Sequence, residues 1–124
     1  MNDMLWISLG AIAGANLRYY VSRTAARLLT PTLPWGTLII NVGGSFILGF
    51  FMVWSSERVL ASAKWRPLVA VGFCGGFTTF SSYSFETFSL FEQGHYTLAA
   101  GNFAANNLLS LAAVVAGAVL ARSL

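Results

Sequence analysis

The sequence predicts an all-α protein embedded in a membrane, crossing it in four helices. Three observations carry that prediction. Hydrophobic residues make up 56% of the 124-residue chain and charged residues only 9%, against roughly 25% charged in a typical soluble domain. Small bodies are mostly surface, so so few charges cannot solvate one of this size, and lipid must be the solvent for much of it. The apolar residues fall into four long segments separated by short polar or proline-bearing connections. Aromatic residues of the interfacial type stand near the segment ends. The chain length allows a single domain, 1–124.

The first segment runs from about Met4 to Tyr20. It is short for a span and carries Arg18 near its end, so it crosses only if that side chain snorkels or faces protein. It reads as a retained helix, because no basic stretch and cleavage site mark a removable signal. Pro31 and Pro34 separate it from the second segment, since neither can continue a helix. The second segment, Trp35 to Trp54, is free of charge. At the helical rise its two tryptophans lie roughly 28 Å apart, close to the thickness of the hydrocarbon layer. A polar connection from Ser55 to Arg66 follows, holding Glu57, Arg58, Lys64 and Arg66. The third segment runs from about Pro67 to Phe85, with an extension to Phe91 open. Glu92 to His95 links it to the fourth, from about Tyr96 to Leu120.

Four crossings put both termini on one side, together with the connection bearing Arg58, Lys64 and Arg66. Arg122 shares that side. Arg23 and Arg27 lie opposite, joined by Arg18 if it reaches that interface. Lysine and arginine bias sets orientation, and here it is weak. Two outcomes stand: a single orientation, or insertion both ways with two inverted copies pairing.

No enzyme signature is present. The single histidine, His95, sits in a connection, and Asp3, Glu57, Glu86 and Glu92 are all outside the middle of a span. The net charge of +3 rests on seven basic residues, too few for a nucleic-acid surface. One cysteine, Cys74, makes no internal disulfide.

The third segment carries the unusual composition: Gly72-Phe73-Cys74-Gly75-Gly76-Phe77-Thr78-Thr79-Phe80-Ser81-Ser82-Tyr83-Ser84-Phe85-Glu86. Adjacent glycines and threonines weaken a helix by backbone entropy and restricted χ1. A break near Gly75–Thr79 frees carbonyls that protein or a cavity must satisfy, and such carbonyls suit a cation. A continuous helix using its small residues for close packing is the other reading. Phe80 and Tyr83 share a helix face, with Ser81, Ser82 and Ser84 beside them; membrane aromatics also serve as plain packing or lipid contact.

In the fourth segment Asn102, Asn106 and Ser110 fall on one face at i, i+4, i+8, and Asn41 lies midway in the second. Embedded amides either line a polar path or glue helices together. Asn, Ser, Thr and Tyr offer donors, and aromatic edges carry partial positive charge. A path of that kind suits a small anion. Gly10-x-x-x-Gly14 and Ser45-x-x-x-Gly49 are small-residue patterns for close helix approach.

Two stretches together resemble the Fluc/CrcB family of fluoride channels. Gly72 to Glu86 is similar to that family's GFxGGLTTFSTFSxE signature, and Gly36-Thr37-Leu38-Ile39-Ile40-Asn41-Val42-Gly43-Gly44 to its GTLxxNxxG motif. The likeness runs through the whole chain. It implies passive export of fluoride across a bacterial plasma or inner membrane, conferring fluoride resistance, by a dual-topology antiparallel homodimer with two pores. It further implies that Phe80 and Tyr83 form an aromatic box and that Asn41 donates its amide to the ion. Asn106 and Ser110 would continue the polar track, Ser81 and Ser82 would flank the path, and Arg18 would stand near a vestibule. Gly75 and Thr78 would give backbone carbonyls to a structural sodium ion at the dimer centre, with no organic cofactor. Three residues depart from the pattern: Tyr83 stands for the usual phenylalanine and adds a hydroxyl, Phe77 for leucine, and Ser82 for threonine. The rival reading is a proton-coupled exporter of the small multidrug-resistance type, which needs an embedded acid in its first helix; only Asp3, at the very start, is available.

Overall fold

The structure, a computed structural model, describes residues 2–58 and 64–124. Among the described residues it is all-helical. The elements are α1 (Asn2–Leu28), α2 (Trp35–Ser56), a π-helical segment (Arg66–Phe73), α3 (Cys74–Phe77), α4 (Phe80–Glu92) and α5 (Tyr96–Ser123). Part of the polar connection expected after Trp54, residues 59–63, lies outside the described residues.

α1 is longer than its apolar stretch predicts. It continues through Arg18, Arg23 and Arg27 to Leu28, because the charged residues are good helix formers and only the run to Pro31 stops it. α2 begins directly after Pro34, as the proline and the tryptophan signal together suggest. α2 and α5 are long and apolar enough to cross a membrane. α1 is not apolar enough by the same measure, and the third segment is broken into helices too short for it.

The break is real, and it sits at Thr78 and Thr79. Both residues are extended (φ −82°, ψ 161° and φ −151°, ψ 115°), while Gly75 and Gly76 remain helical in α3. The glycine pair therefore does not unwind the chain. Gly76 lets the backbone approach Ala11, where a Cβ would meet the Ala11 carbonyl. Gly10, Gly14 and Gly72 do the same along this seam: a Cβ on Gly10 would meet Leu68 and Phe73 backbone, and one on Gly14 would meet Phe73 and Phe77 backbone. The Gly10-x-x-x-Gly14 pattern thus seats α1 on the π-helical segment and α3. A second seam joins α2 to α5, with Gly49 against Val114 and Gly117 against Phe46 and Phe50.

Two contacts align the helix ends. Lys64 lies 5.8 Å from the Trp6 ring, and Arg122 lies 3.8 Å from Glu57. The start of α1 therefore shares one end of the bundle with the start of the π-helical segment, and the C-terminal ends of α2 and α5 meet. Both contacts are exposed and contribute little energy; their value is topological. At the opposite end Gly94, with φ +81°, closes the turn from α4 into α5.

Gly14→Ala is expected to destabilise the protein by about 1–3 kcal/mol, because the added methyl meets backbone that cannot swing aside. Gly101→Ala, in open space on α5, is the control, expected to be neutral or stabilising by ~0.5–1 kcal/mol. Melting temperatures of the two variants in detergent check this.

Candidate ion-conduction groove

Extended backbone in the middle of a helical layer strands its N–H and C=O groups, and in an apolar setting each must find a partner. Asn41, on α2, supplies them. Its Oδ1 accepts from Thr79 N at 2.9 Å, and its Nδ2 donates to Thr79 O at 3.0 Å. The side-chain amide thus pairs with Thr79 as a neighbouring strand would. The same Nδ2 donates to Asn106 Oδ1 on α5 at 3.0 Å. Thr79 also starts α4: its Oγ1 accepts from Ser82 N at 3.1 Å, an N-cap of the ordinary kind.

Diversion of Thr79 N to Asn41 has a consequence one turn back. In a continuous helix that N–H would bond Gly75 O; here Gly75 O loses that partner. Gly75 is exposed, and a Cβ placed on it would touch nothing within 4 Å. Thr78 N and Oγ1 both donate to Cys74 O, at 3.0 and 2.8 Å. Thr78 O, turned out of the helix, accepts only a long 3.5 Å bond from Arg18 Nη1.

Beside this break lies an open groove of about 430 Å3 between α2, α3, α4 and α5. It brings together Asn41, Gly75, Thr78, Phe80, Tyr83, Asn106 and Ser110, along with Thr79 and Asn107. Those are seven of the ten residues singled out in the sequence. The other three lie apart. Arg18 reaches Thr78 O from α1. Ser81 and Ser82 are exposed at the start of α4 and do not line the groove; Ser81 Oγ is 3.4 Å from Thr79 Oγ1. The N-cap explains their place, since the first turn of α4 turns them away from the bundle.

Phe80 and Tyr83 meet edge to face, with centroids 5.4 Å apart and planes at 68°. Phe80 stands 77% exposed at the mouth of the groove, whereas Tyr83 is 6% exposed. Asn107 Nδ2 donates to the Tyr83 hydroxyl at 3.0 Å.

The polar residues in line on α5 differ in their partners. Asn102 Nδ2 donates to Thr87 Oγ1 on α4 at 2.8 Å. Asn106 Nδ2 donates to Asn102 O and Oδ1, both at 3.0 Å. The N–H groups of Asn41 and Asn106 are therefore committed inside the chain, so the expected donation from Asn41 to an ion has no free N–H behind it in this arrangement. Ser110 differs. Its Oγ is buried and has no partner among the described residues, although Ser8, Ser84 and Thr87 in the other helices all bond back one turn.

The sequence reading missed three participants. Thr79 was legible only as a break-former, not as the clasped residue. Asn107, next to Asn106 in the chain, is the partner of Tyr83. Glu86, half-buried, accepts from Thr37 Oγ1 at 2.8 Å through Oε1, while its Oε2 is buried without a partner among the described residues; no spacing rule joins positions so distant in sequence.

The family profile for the CrcB-like protein, Camphor Resistance (CrcB), matches residues 5–118. The chain belongs to the CrcB-like family. It is 52% identical to the fluoride-specific ion channel FluC of Koribacter versatilis over 124 residues, covering 100% of this chain and 98% of that protein. It is 47% identical over 124 residues to the FluC of Sulfurihydrogenibium sp., with both chains covered in full. The FluC of Rhizobium etli is 45% identical over 118 residues, covering 95% of this chain and 94% of the relative. This CrcB-like chain is a membrane protein.

Asn41→Ala leaves Thr79 N, Thr79 O and Asn106 Oδ1 without a partner. A loss of more than about 2 kcal/mol is expected, since each orphaned buried group costs about 1–3 kcal/mol. Thr79→Ala, which removes only the cap, costs about 1 kcal/mol. The order of melting temperatures, wild type above Thr79→Ala above Asn41→Ala, checks the assignment.

Proposed function

We propose that this chain forms a fluoride-selective channel that exports the ion passively, as an antiparallel dual-topology homodimer of four-span subunits in a bacterial plasma or inner membrane. It is a channel and not an enzyme. The observation that carries the reading is the groove: a buried hydroxyl with a free proton, Ser110, set among aromatic edges, Phe80 and Tyr83, in a wall without a carboxylate. The names of the relatives give the same ion. Fluoride is small and holds its water tightly, so a dry path must replace that water with donors at close range. Chloride is too large for the same contacts and gains less. A negative interior drives an anion outward with about 2.3 kcal/mol per charge per 100 mV. Hydrogen fluoride enters from an acidic medium and dissociates in the less acidic interior, so a leak selective for fluoride, driven by the membrane potential, lowers the internal concentration.

The open side of the groove supports the second copy. The freed carbonyl of exposed Gly75 and the exposed Asn107 side chain cannot face hydrocarbon without cost, and a partner subunit covers them. The two opposed orientations follow from the near balance of lysine and arginine at the two ends of the bundle. The alignment of the α1 start with the π-helical segment, and of the α2 and α5 ends with each other, supports four crossings.

The carbonyls of Gly75 and Thr78 fit a sodium ion. Hard cations take oxygen ligands, one carbonyl has lost its helical donor, the other carries only a long bond, and the space over Gly75 is open. In a dimer each subunit would offer such a pair of oxygens. The ion would supply positive charge beside them; Asn41 and Thr79 hold the break in shape. The multidrug-exporter alternative is not favoured, since α1 carries Asp3 only in its first turn.

The decisive experiment is efflux from liposomes loaded with potassium fluoride or potassium chloride, with valinomycin to carry potassium. Fluoride is expected to leave rapidly and chloride to stay; fluoride retained by well-folded protein overturns the reading. Phe80→Leu is expected to reduce fluoride flux by about tenfold, equivalent to about 1.4 kcal/mol, with unchanged flux removing the aromatic edge from the path. Exchange of sodium for N-methylglucamine is expected to lower the melting temperature and shorten dimer lifetime in detergent, reversibly with sodium concentration.

A further inference from the structure

Two of the three donors that the sequence offers to an anion are already spent: Asn41 on Thr79 and Asn106, and Asn106 on Asn102. Ser110 alone keeps its proton free. The groove wall holds further uncommitted protons, and the one on a buried residue belongs to Tyr83. Tyr83 is buried, lines the groove, and accepts at its oxygen from Asn107 Nδ2, but its own O–H meets no acceptor among the described residues. A buried phenol ordinarily finds partners for both functions. Asn107 satisfies the acceptor half and leaves the donor half open.

Resting on the fluoride reading, we propose that the Tyr83 hydroxyl is an anion-coordinating donor in the path, and that Asn107 is its positioning residue. Asn107 can only orient it one way. Its Nδ2 occupies the phenol oxygen from the α5 side and also donates to Phe103 O at 2.8 Å, which fixes the amide with its N–H groups toward both. The phenol proton must then point away from Asn107, and a donor whose oxygen already accepts a bond is polarised into a stronger one. Asn107 and Ser110 are one turn apart on α5, so the two free hydroxyls flank the same stretch of groove. The ring edge and the hydroxyl of Tyr83 thus present partial positive charge together, where phenylalanine presents the edge alone. The hydroxyl favours an anion that accepts a short, strong hydrogen bond, which is fluoride over chloride.

The test compares wild type, Tyr83→Phe, Asn107→Ala, Asn107→Gln and the double variant Tyr83→Phe/Asn107→Ala in the liposome assay, reading flux against fluoride concentration. Tyr83→Phe is expected to raise the half-saturating fluoride concentration by about three- to tenfold, the effect of one ordinary net hydrogen bond, and to narrow the preference over chloride. Asn107→Ala is expected to move the half-saturation point the same way, Asn107→Gln to restore part of it, and Asn107→Ala to have no further effect once Tyr83 is phenylalanine. A role in packing alone changes melting temperature or the active fraction and leaves the half-saturation point in place. Unchanged half-saturation in Tyr83→Phe with fluoride still conducted overturns the donor role. An additive effect of Asn107→Ala in the double variant overturns the positioning role. Wild-type protein that conducts no fluoride instead overturns the channel reading on which both rest.

Discussion

One constraint organises the molecule: two residues of extended backbone, Thr78 and Thr79, sit inside a helical layer where water cannot satisfy them. Asn41 meets the constraint with both ends of its amide. Everything around the groove follows from that clasp. Diverting Thr79 N strips the Gly75 carbonyl of its helical donor, which creates an oxygen suited to a cation. Placing Thr79 at a helix start gives α4 its cap and its direction, which sets Phe80 at the mouth and Tyr83 in the wall. Drawing Asn41 toward Asn106 fixes the two asparagines of α5 and leaves the Ser110 hydroxyl, one turn on, without a partner among the described residues.

The glycines serve a different purpose. They let three backbones come close enough that the break is held from two sides, α1 on one and α2 with α5 on the other. Gly44 belongs to this set, since a Cβ there would strike the Thr78 side chain. A break supported by side chains alone would be free to shift. One held between close-packed helices has a single register, and a path for a small dehydrated ion needs that rigidity.

The sequence made the helical class and the apolar segments legible because segment length, charge spacing and interfacial aromatics are local properties. The break was legible as one of two readings, placed near Gly75–Thr79; it falls at the threonine end of that stretch, and Gly76 stays helical in close approach to Ala11. The site residues appeared as a list of donors, and seven of the ten meet in one groove. Which donors remain free was not legible. Whether an asparagine is path or glue depends on partners in other helices, and the commitment of Asn41 and Asn106 is visible only once α2, α4 and α5 are brought together. For the same reason Tyr83 read as a departure from a pattern, and its pairing with Asn107 was not legible.

The clasp is the central claim, and amide hydrogen exchange at Thr79 in lipid nanodiscs tests it most directly. Thr79 N–H is expected to be protected in the wild type to the level of the neighbouring helices. In Asn41→Ala it is expected to exchange freely while α2 and α5 stay protected. Equal protection of Thr79 in both proteins would contradict the account, because the extended backbone would then be held by something other than Asn41.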